Sequence, residues 1–369
     1  MSKNNGTLTA LRAKTLIVGI HSPNNYTSNI QSYFEEFKNL VSSNGIVPEA
    51  ELFIKLRSID PAHFVTKGKL EEIQKICTEK KIEEVVFSEP LSAQQERNLS
   101  EVLQARVFDR TQLILEIFEK GAQSAEGKTQ VGLAMLQHQK ARLAGRGISM
   151  SQQAGSIGTR GPGETQKEKE TQHLEHLMVK LRRDLDKLAA VRMTQRKKRL
   201  SSSLPLICLI GYTNAGKSTI LNALTHAQVS AANRLFETLD TTTRELFVGG
   251  KKIALLSDTV GFIQQLPHTL IEAFKSTLSE LTYAHLLLLV IDSADADWEL
   301  HIKVVYSVLS ELNVDKPVVY VFNKIDMVAD REAFERAVQK YNPHVLISAN
   351  SEQGIEPLVT FLQNWKFSA

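Results

Sequence analysis

The sequence predicts an α/β protein with two parallel sheets that are separated along the chain by a helical hairpin. Short apolar runs alternate with amphipathic stretches from Leu16 to about Lys120, and residues 126–200 turn helical in pattern around a Gly-rich break. A glycine-rich phosphate loop then follows the apolar run Leu206–Ile210. The expected domain spans are 1–125, 126–200 and 201–369.

In the first span, the runs Leu16–Ile20, Glu51–Leu56, Val85–Phe87 and Val107–Phe108 read as strands, with helical stretches such as Lys69–Thr78 between them. That is the pattern of a compact parallel α/β domain. It carries no second phosphate loop, and Thr66-Lys-Gly-Lys69 reads as a helix start with solvated lysines rather than a phosphate-binding turn.

The second span reads as two helices joined by a Gly-rich loop, Gly145 to Gly163. In the second helix Leu174, Leu177, Leu181, Leu185 and Leu188 recur at three- and four-residue steps, a narrow apolar seam for an antiparallel partner expected over Val131–Leu143. A long Gly-rich segment bearing Arg142, Arg146 and Arg160 cannot form a core and suits close approach to a phosphate backbone. The helix end adds Arg182, Arg183, Lys187, Arg192, Arg196, Lys197, Lys198 and Arg199 against Asp184 and Asp186, a basic patch that fits RNA. Ser201–Pro205 reads as a short linker.

The third span carries the chemistry. In Gly211-Tyr212-Thr213-Asn214-Ala215-Gly216-Lys217-Ser218-Thr219 the glycines let backbone N–H groups wrap phosphates, and the following helix offers its positive dipole end. Lys217 is expected on the β- and γ-phosphates and Ser218 on Mg2+. Asp258-Thr259-Val260-Gly261 follows the run Ile253–Leu256; Asp258 is placed to hold Mg2+ through water and Gly261 to approach the γ-phosphate. Asn323-Lys324-Ile325-Asp326 ends the run Val318–Phe322 at the same carboxyl edge. The acceptor-only carboxylate of Asp326 can take both guanine donors, which selects GTP over ATP, and Asn323 can tie this loop to the phosphate loop or to the base. Ser348-Ala349-Asn350 can supply a backbone N–H to the guanine oxygen. The class is therefore a Ras-like P-loop GTPase domain, binding GTP and GDP with Mg2+. One departure concerns water: where Ras-like proteins place a Gln, this chain has Phe262, so intrinsic hydrolysis is expected to be slow and partner-stimulated. Gln264 and Gln265 read as solvent-exposed polar residues. A Mg2+-binding Thr is expected within Phe236–Arg244, where four threonines qualify.

The chain resembles the HflX GTPases along nearly its full length. Gly158-Thr-Arg160 followed by Gly161-Pro-Gly-Glu-Thr-Gln166 looks like the family's signature loop. Lys67–Glu72, Leu91–Gln95, Asp109–Thr111 and Glu126–Lys128 are similar to its other N-terminal blocks. The resemblance implies a cytoplasmic GTPase that binds the large (50S) ribosomal subunit, with the hairpin loop reaching towards the peptidyl-transferase region, and that can separate subunits. It also favours Thr238 as the second metal ligand beside Ser218, within Phe236-Glu237-Thr238-Leu239-Asp240, so the expected catalytic positions are Lys217, Thr238 and Gly261. Glu237 and Thr241 stand where the family usually has Ala and Pro, whereas Asp240 and Arg244 match. With Ala369 one helix after Ser348-Ala349, the additional C-terminal domain of some members is expected to be absent.

Composition narrows the rest. A 42% hydrophobic content supports packed cores, and the longest uncharged apolar run, near Leu286–Ile291, is far short of the roughly 20 residues that span a bilayer. The first residues, Met1 to Gly6, lack the apolar core of a signal peptide. Cys77 and Cys208 suggest neither a disulfide framework nor a metal site, and a monomer in the cytoplasm is the simplest expectation. A membrane-associated fraction, held through the basic helix, is the lesser alternative because that helix lacks large aromatic anchors. The rival function is a nucleotide-bound, non-catalytic module that occupies an RNA or protein partner.

Overall fold

The computed structural model describes residues 13–25, 27, 29–144, 162–200, 204–225, 235–236, 242–265 and 278–365. The chain divides into two compact units, one of residues 1–114 with 141–167 and the other of residues 115–140 with 168–369.

The first unit holds a parallel four-stranded sheet. Its strands are β1 (Thr15–His21), β2 (Ala50–Lys55), β3 (Glu84–Phe87) and β4 (Arg106–Asp109), in the order β2-β1-β3-β4. Helices α1 (Ile30–Ser43), α2 (Lys67–Lys80) and α3 (Ala93–Leu103) connect them; the Val/Ile/Leu-rich β1, β3 and β4 are mostly buried, whereas the edge strand β2 buries only Ile54 and leaves Phe53 exposed. The Thr66–Lys69 segment is a helix start, with Thr66 in extended conformation before α2. Several of the sequence blocks that carry the family resemblance have local structural jobs here. Ser92 and Gln95 form a capping box, the Ser92 hydroxyl accepting from Gln95 N–H (3.2 Å) and the Gln95 amide oxygen accepting from Ser92 N–H (2.9 Å). The Asp109 carboxylate accepts from the N–H groups of Leu91 and Gln112, each at 2.9 Å. Arg110 is buried and paired with Glu36.

After α4 (Arg110–Gly121) come α5 (Ala125–Ala144) and α6 (Pro162–Leu200), the two helices of the expected hairpin. Their pairing is antiparallel, since Lys140 meets Glu175 at 2.6 Å while Gly132 faces Leu181. Leu174, Leu177, Leu181, Leu185 and Leu188 are half-buried along the seam, and the buried member is Met178, which their spacing left out. Arg142 departs from the expectation of a loop arginine facing RNA. It lies on the last turn of α5, paired with Glu96 and with Asp109 (3.0 Å). Burial pulls its guanidinium down to about 10, still charged near neutral pH. Residues 145–161, with Arg146 and Arg160, lie outside the described residues.

The second sheet has six strands in the order β10-β9-β8-β5-β7-β6. They are β5 (Leu206–Gly211), β6 (Thr242–Val248), β7 (Lys251–Asp258), β8 (Leu286–Asp292), β9 (Val318–Asn323) and β10 (His344–Leu346). All neighbours are parallel except β6 with β7. Helices α7 (Lys217–Thr225), α8 (Trp298–Glu311), α9 (Arg331–Val338) and α10 (Glu352–Asn364) belong to the same unit, whose core runs through Ile207, Leu209, Leu288, Val321 and Leu358. Because β5, β7, β8 and β9 run the same way, their carboxyl ends share one edge, where the phosphate loop begins.

Candidate nucleotide-binding site

Three sequence-predicted segments converge at that edge. The phosphate loop leaves β5 at Gly211 and enters α7 at Lys217, with left-handed backbone at Asn214 and Gly216. Lys217 is buried, and its ammonium donates to the carbonyls of Gly211 (3.2 Å) and Tyr212 (2.7 Å) across the mouth of the loop. Burial lowers Lys217 to about 8, with the Asp258 carboxylate acting against that shift. The Ser218 hydroxyl donates to Asp258 Oδ2 at 2.6 Å. A fully buried carboxylate beside a helix-start hydroxyl is a hard-oxygen pair of the kind that suits Mg2+. Thr219 follows, half-buried, in the first turn of α7.

The Asp258–Gly261 segment lies directly against this loop. The Asp258 carboxylate also accepts from Thr259 N–H (2.9 Å), the Thr259 hydroxyl donates to Leu209 O (2.7 Å), and Val260 is buried. A Cβ on Gly261 would stand 2.8 Å from Thr213 Cα and 2.9 Å from Lys217 Nζ, so only glycine allows this approach. Phe262 N–H donates to Gly211 O (3.1 Å) and Thr213 N–H donates to Phe262 O (2.8 Å), a backbone pairing that leaves the Phe262 ring in the interior. Gln264 is buried, not exposed, because its backbone N–H is drawn to the Tyr212 hydroxyl at 2.8 Å; Gln265 is exposed.

Asn323 resolves its own alternatives. Its amide donates to Ala215 O (2.9 Å) and its carbonyl accepts from Ala349 N–H (3.0 Å), so one buried side chain ties the phosphate loop to the Ser348–Asn350 segment. Gly216 has φ +99°, and a Cβ there would collide with that same amide. Lys324 adopts left-handed backbone and pairs with Asp292 at 2.6 Å. Ile325 is buried, its N–H donating to Ile347 O (3.2 Å), while Asp326 beside it is exposed and open to a base. Ala349 is buried and Asn350 exposed. Phe236 is buried, edge-on to Phe118 with ring centroids 4.5 Å apart. Glu237, Thr238, Leu239 and Asp240 lie outside the described residues.

Sequence reasoning missed two contributors. Asp292 follows the apolar run of β8 and orders Lys324; its signal was a carboxylate at the end of a buried strand. His301 stacks on the Tyr212 ring at 3.7 Å and 10° from parallel, and nothing local to α8 marks it.

Comparison with known proteins agrees with this geometry. Three family models match in succession: a GTP-binding GTPase N-terminal region at residues 31–119, a GTP-binding GTPase middle region at 121–199, and a 50S ribosome-binding GTPase at 206–324. The chain is 41% identical over 333 residues to the GTPase HflX of Caldanaerobacter subterraneus subsp. tengcongensis, covering 90% of this chain and 76% of that protein. To the GTPase HflX of Escherichia coli it is 41% identical over 326 residues, covering 88% and 76%. To that of Thermococcus kodakarensis it is 42% identical over 306 residues, covering 82% and 68%. Among solved structures, SsGBP in complex with GDP aligns with a TM-score of 0.53 at 25% identity, over 95% of this chain and 97% of that one. With a phosphate loop, a buried Asp258–Ser218 pair and an Asn323 bridge at one sheet edge, and with that identity along most of its length, the chain belongs to the HflX family of GTPases.

Proposed function

We infer that this protein binds GTP and hydrolyses it to GDP and phosphate in association with the large ribosomal subunit, where it splits or rescues ribosomes or aids subunit assembly. The observation that carries the nucleotide reading is the Asn323 side chain, which joins the phosphate loop to the base-side segment in a single hydrogen-bonded unit. The subunit reading rests on the family match over residues 206–324.

In this reading the backbone N–H groups of 211–219 cradle the phosphates, and Lys217 turns its ammonium from the loop carbonyls to the β- and γ-oxygens. Ser218 and Thr238 would hold Mg2+ directly and Asp258 would hold it through water, and the ion would supply charge neutralisation for the transferring phosphoryl group. Gly261 N–H meets the γ-phosphate, and Asp326 takes the guanine donors. The Phe262 ring, buried and apolar, cannot orient the attacking water, so the free protein turns over slowly until a partner completes the site.

Exposed Arg182, Arg183 and Lys187 on α6 suit phosphate contacts with ribosomal RNA, alongside the Gly-rich segment that precedes this helix. We take the chain to act as a cytoplasmic monomer. Two free, buried cysteines fit a reducing compartment, and among the described residues no helix is long and apolar enough to cross a membrane.

The test is GTP turnover by the protein alone, with large subunits and with small subunits, each against Lys217→Ala. Strong stimulation by large subunits that Lys217→Ala abolishes is the expected result. Tight GTP binding without stimulation by either particle would favour the non-catalytic module, and retained GTP affinity in Lys217→Ala would refute the site.

A further inference from the structure

The segment that follows Asp258 is held to the phosphate loop by one side chain that no phosphate contact explains. Tyr212 sits second in the loop, where only its backbone is needed for the nucleotide. Its side chain instead turns inward and is buried. Its hydroxyl oxygen accepts the Gln264 N–H at 2.8 Å, and its ring lies face to face with the His301 imidazole, centroids 3.7 Å apart. His301 is itself buried on the first turns of α8. The two backbone hydrogen bonds of Phe262 with Gly211 and Thr213 lie between these anchors, so the chain from Gly261 to Gln264 is fastened at both ends to the phosphate loop. The glycine in that fastened stretch is the one packed against Thr213 and Lys217.

We propose that Tyr212 is a positioning residue: seated on His301, it holds Gln264 and thereby sets Gly261 at the height where a γ-phosphate meets its N–H. The proposal rests on the nucleotide reading above and adds to it the source of discrimination between triphosphate and diphosphate. A diphosphate does not extend to Gly261, so loosening the latch costs little for GDP. A triphosphate must order the segment itself when the latch is gone, and that ordering is subtracted from its binding free energy.

The experiment compares Tyr212→Phe and His301→Ala with the parent protein, measuring affinity for Mg2+–GDP and for the Mg2+ complex of a non-hydrolysable GTP analogue by titration calorimetry. Tyr212→Phe keeps the stacked ring and removes the acceptor. Its preference for the triphosphate over GDP should fall about fivefold, the scale of one lost hydrogen bond. His301→Ala, which withdraws the seat beneath the ring, should shift the ratio the same way. An unchanged ratio in Tyr212→Phe overturns the latch. So does an equal loss for both nucleotides, which marks a residue needed only for folding of the loop. Failure of the parent to bind either nucleotide would sink the reading of the site and the latch with it, a result distinct from a parent that binds both while Tyr212→Phe keeps its preference.

Discussion

Glu89 shows how much a single buried group can set the behaviour of a region with no assigned chemistry. It follows β3 at the carboxyl edge of the first sheet, buried, accepting from the Ser22 hydroxyl (3.0 Å) and the Asn25 amide (2.8 Å). Burial raises its pKa above the usual 4.5, against the pull of those hydrogen bonds and of Arg110. A carboxyl raised in the folded state contributes most to stability below its unfolded pKa and loses that contribution as pH climbs through the folded value. Glu89→Gln should therefore match the parent below about pH 4.5 and gain stability over it as pH rises from there towards neutrality, then hold that gain. Thermal denaturation across that range checks it, and a variant that weakens with rising pH would show that the ionised form is the stabilising one. At this scale the candidate site was largely legible: Lys217, Ser218, Asp258 and Asn323 stand where strand ends and motif spacing put them. What was not legible was direction. Whether Asn323 turned to the phosphate loop or the base, whether Gln264 faced solvent, and whether Arg142 was free all depend on partners far away in sequence, at Ala215, Tyr212 and Glu96.

Among the elements, the α5–α6 hairpin was read from its leucine repeat, and the repeat did find the helix and its antiparallel mate. A two-helix seam, however, is too narrow to bury five leucines, and they stay half-exposed while Met178 is buried. Met178 lies one residue past Leu177, and a repeat counted on leucines alone passes over it. Truncation should follow burial and not spacing: Met178→Ala is expected to destabilise the hairpin by about 2 kcal/mol. Lys140→Ala, which removes only the exposed pair with Glu175, should leave the melting temperature where it is. Hydrogen exchange along α5 and α6 reads both. Equal protection in the two variants would mean that surface charge and not packing holds the helices together. The strands were easier to read because parallel strands buried on both faces leave continuous apolar runs, whereas the edge strand β6, half exposed and mixed in polarity, left no such trace.

Over the molecule as a whole, charge is nearly balanced, with 44 Lys and Arg against 41 Asp and Glu, so affinity for a polyanion must come from where the cations stand and not from their number. Some of those cations are already engaged within the fold. Arg110 and Arg142 neutralise carboxylates of the first unit, and Lys324 orders the base-side loop. Among the described side chains of α6, Arg182, Arg183 and Lys187 stand exposed close together, with Lys187 paired to Asp184 at 2.9 Å. A contact with RNA phosphates through that row implies counterion release, and hence affinity that falls with salt. Replacing Arg182 and Arg183 together with Ala should weaken binding to large subunits and reduce the slope of log affinity against log salt by about 1 for each residue that touches phosphate. Because neither residue lies at the nucleotide edge, GTP affinity of the free protein should not follow. Sedimentation with large subunits at several salt concentrations separates the outcomes: a weaker complex with an unchanged slope would move the contact away from α6, and an unchanged complex would leave the row as an ordinary solvated helix face.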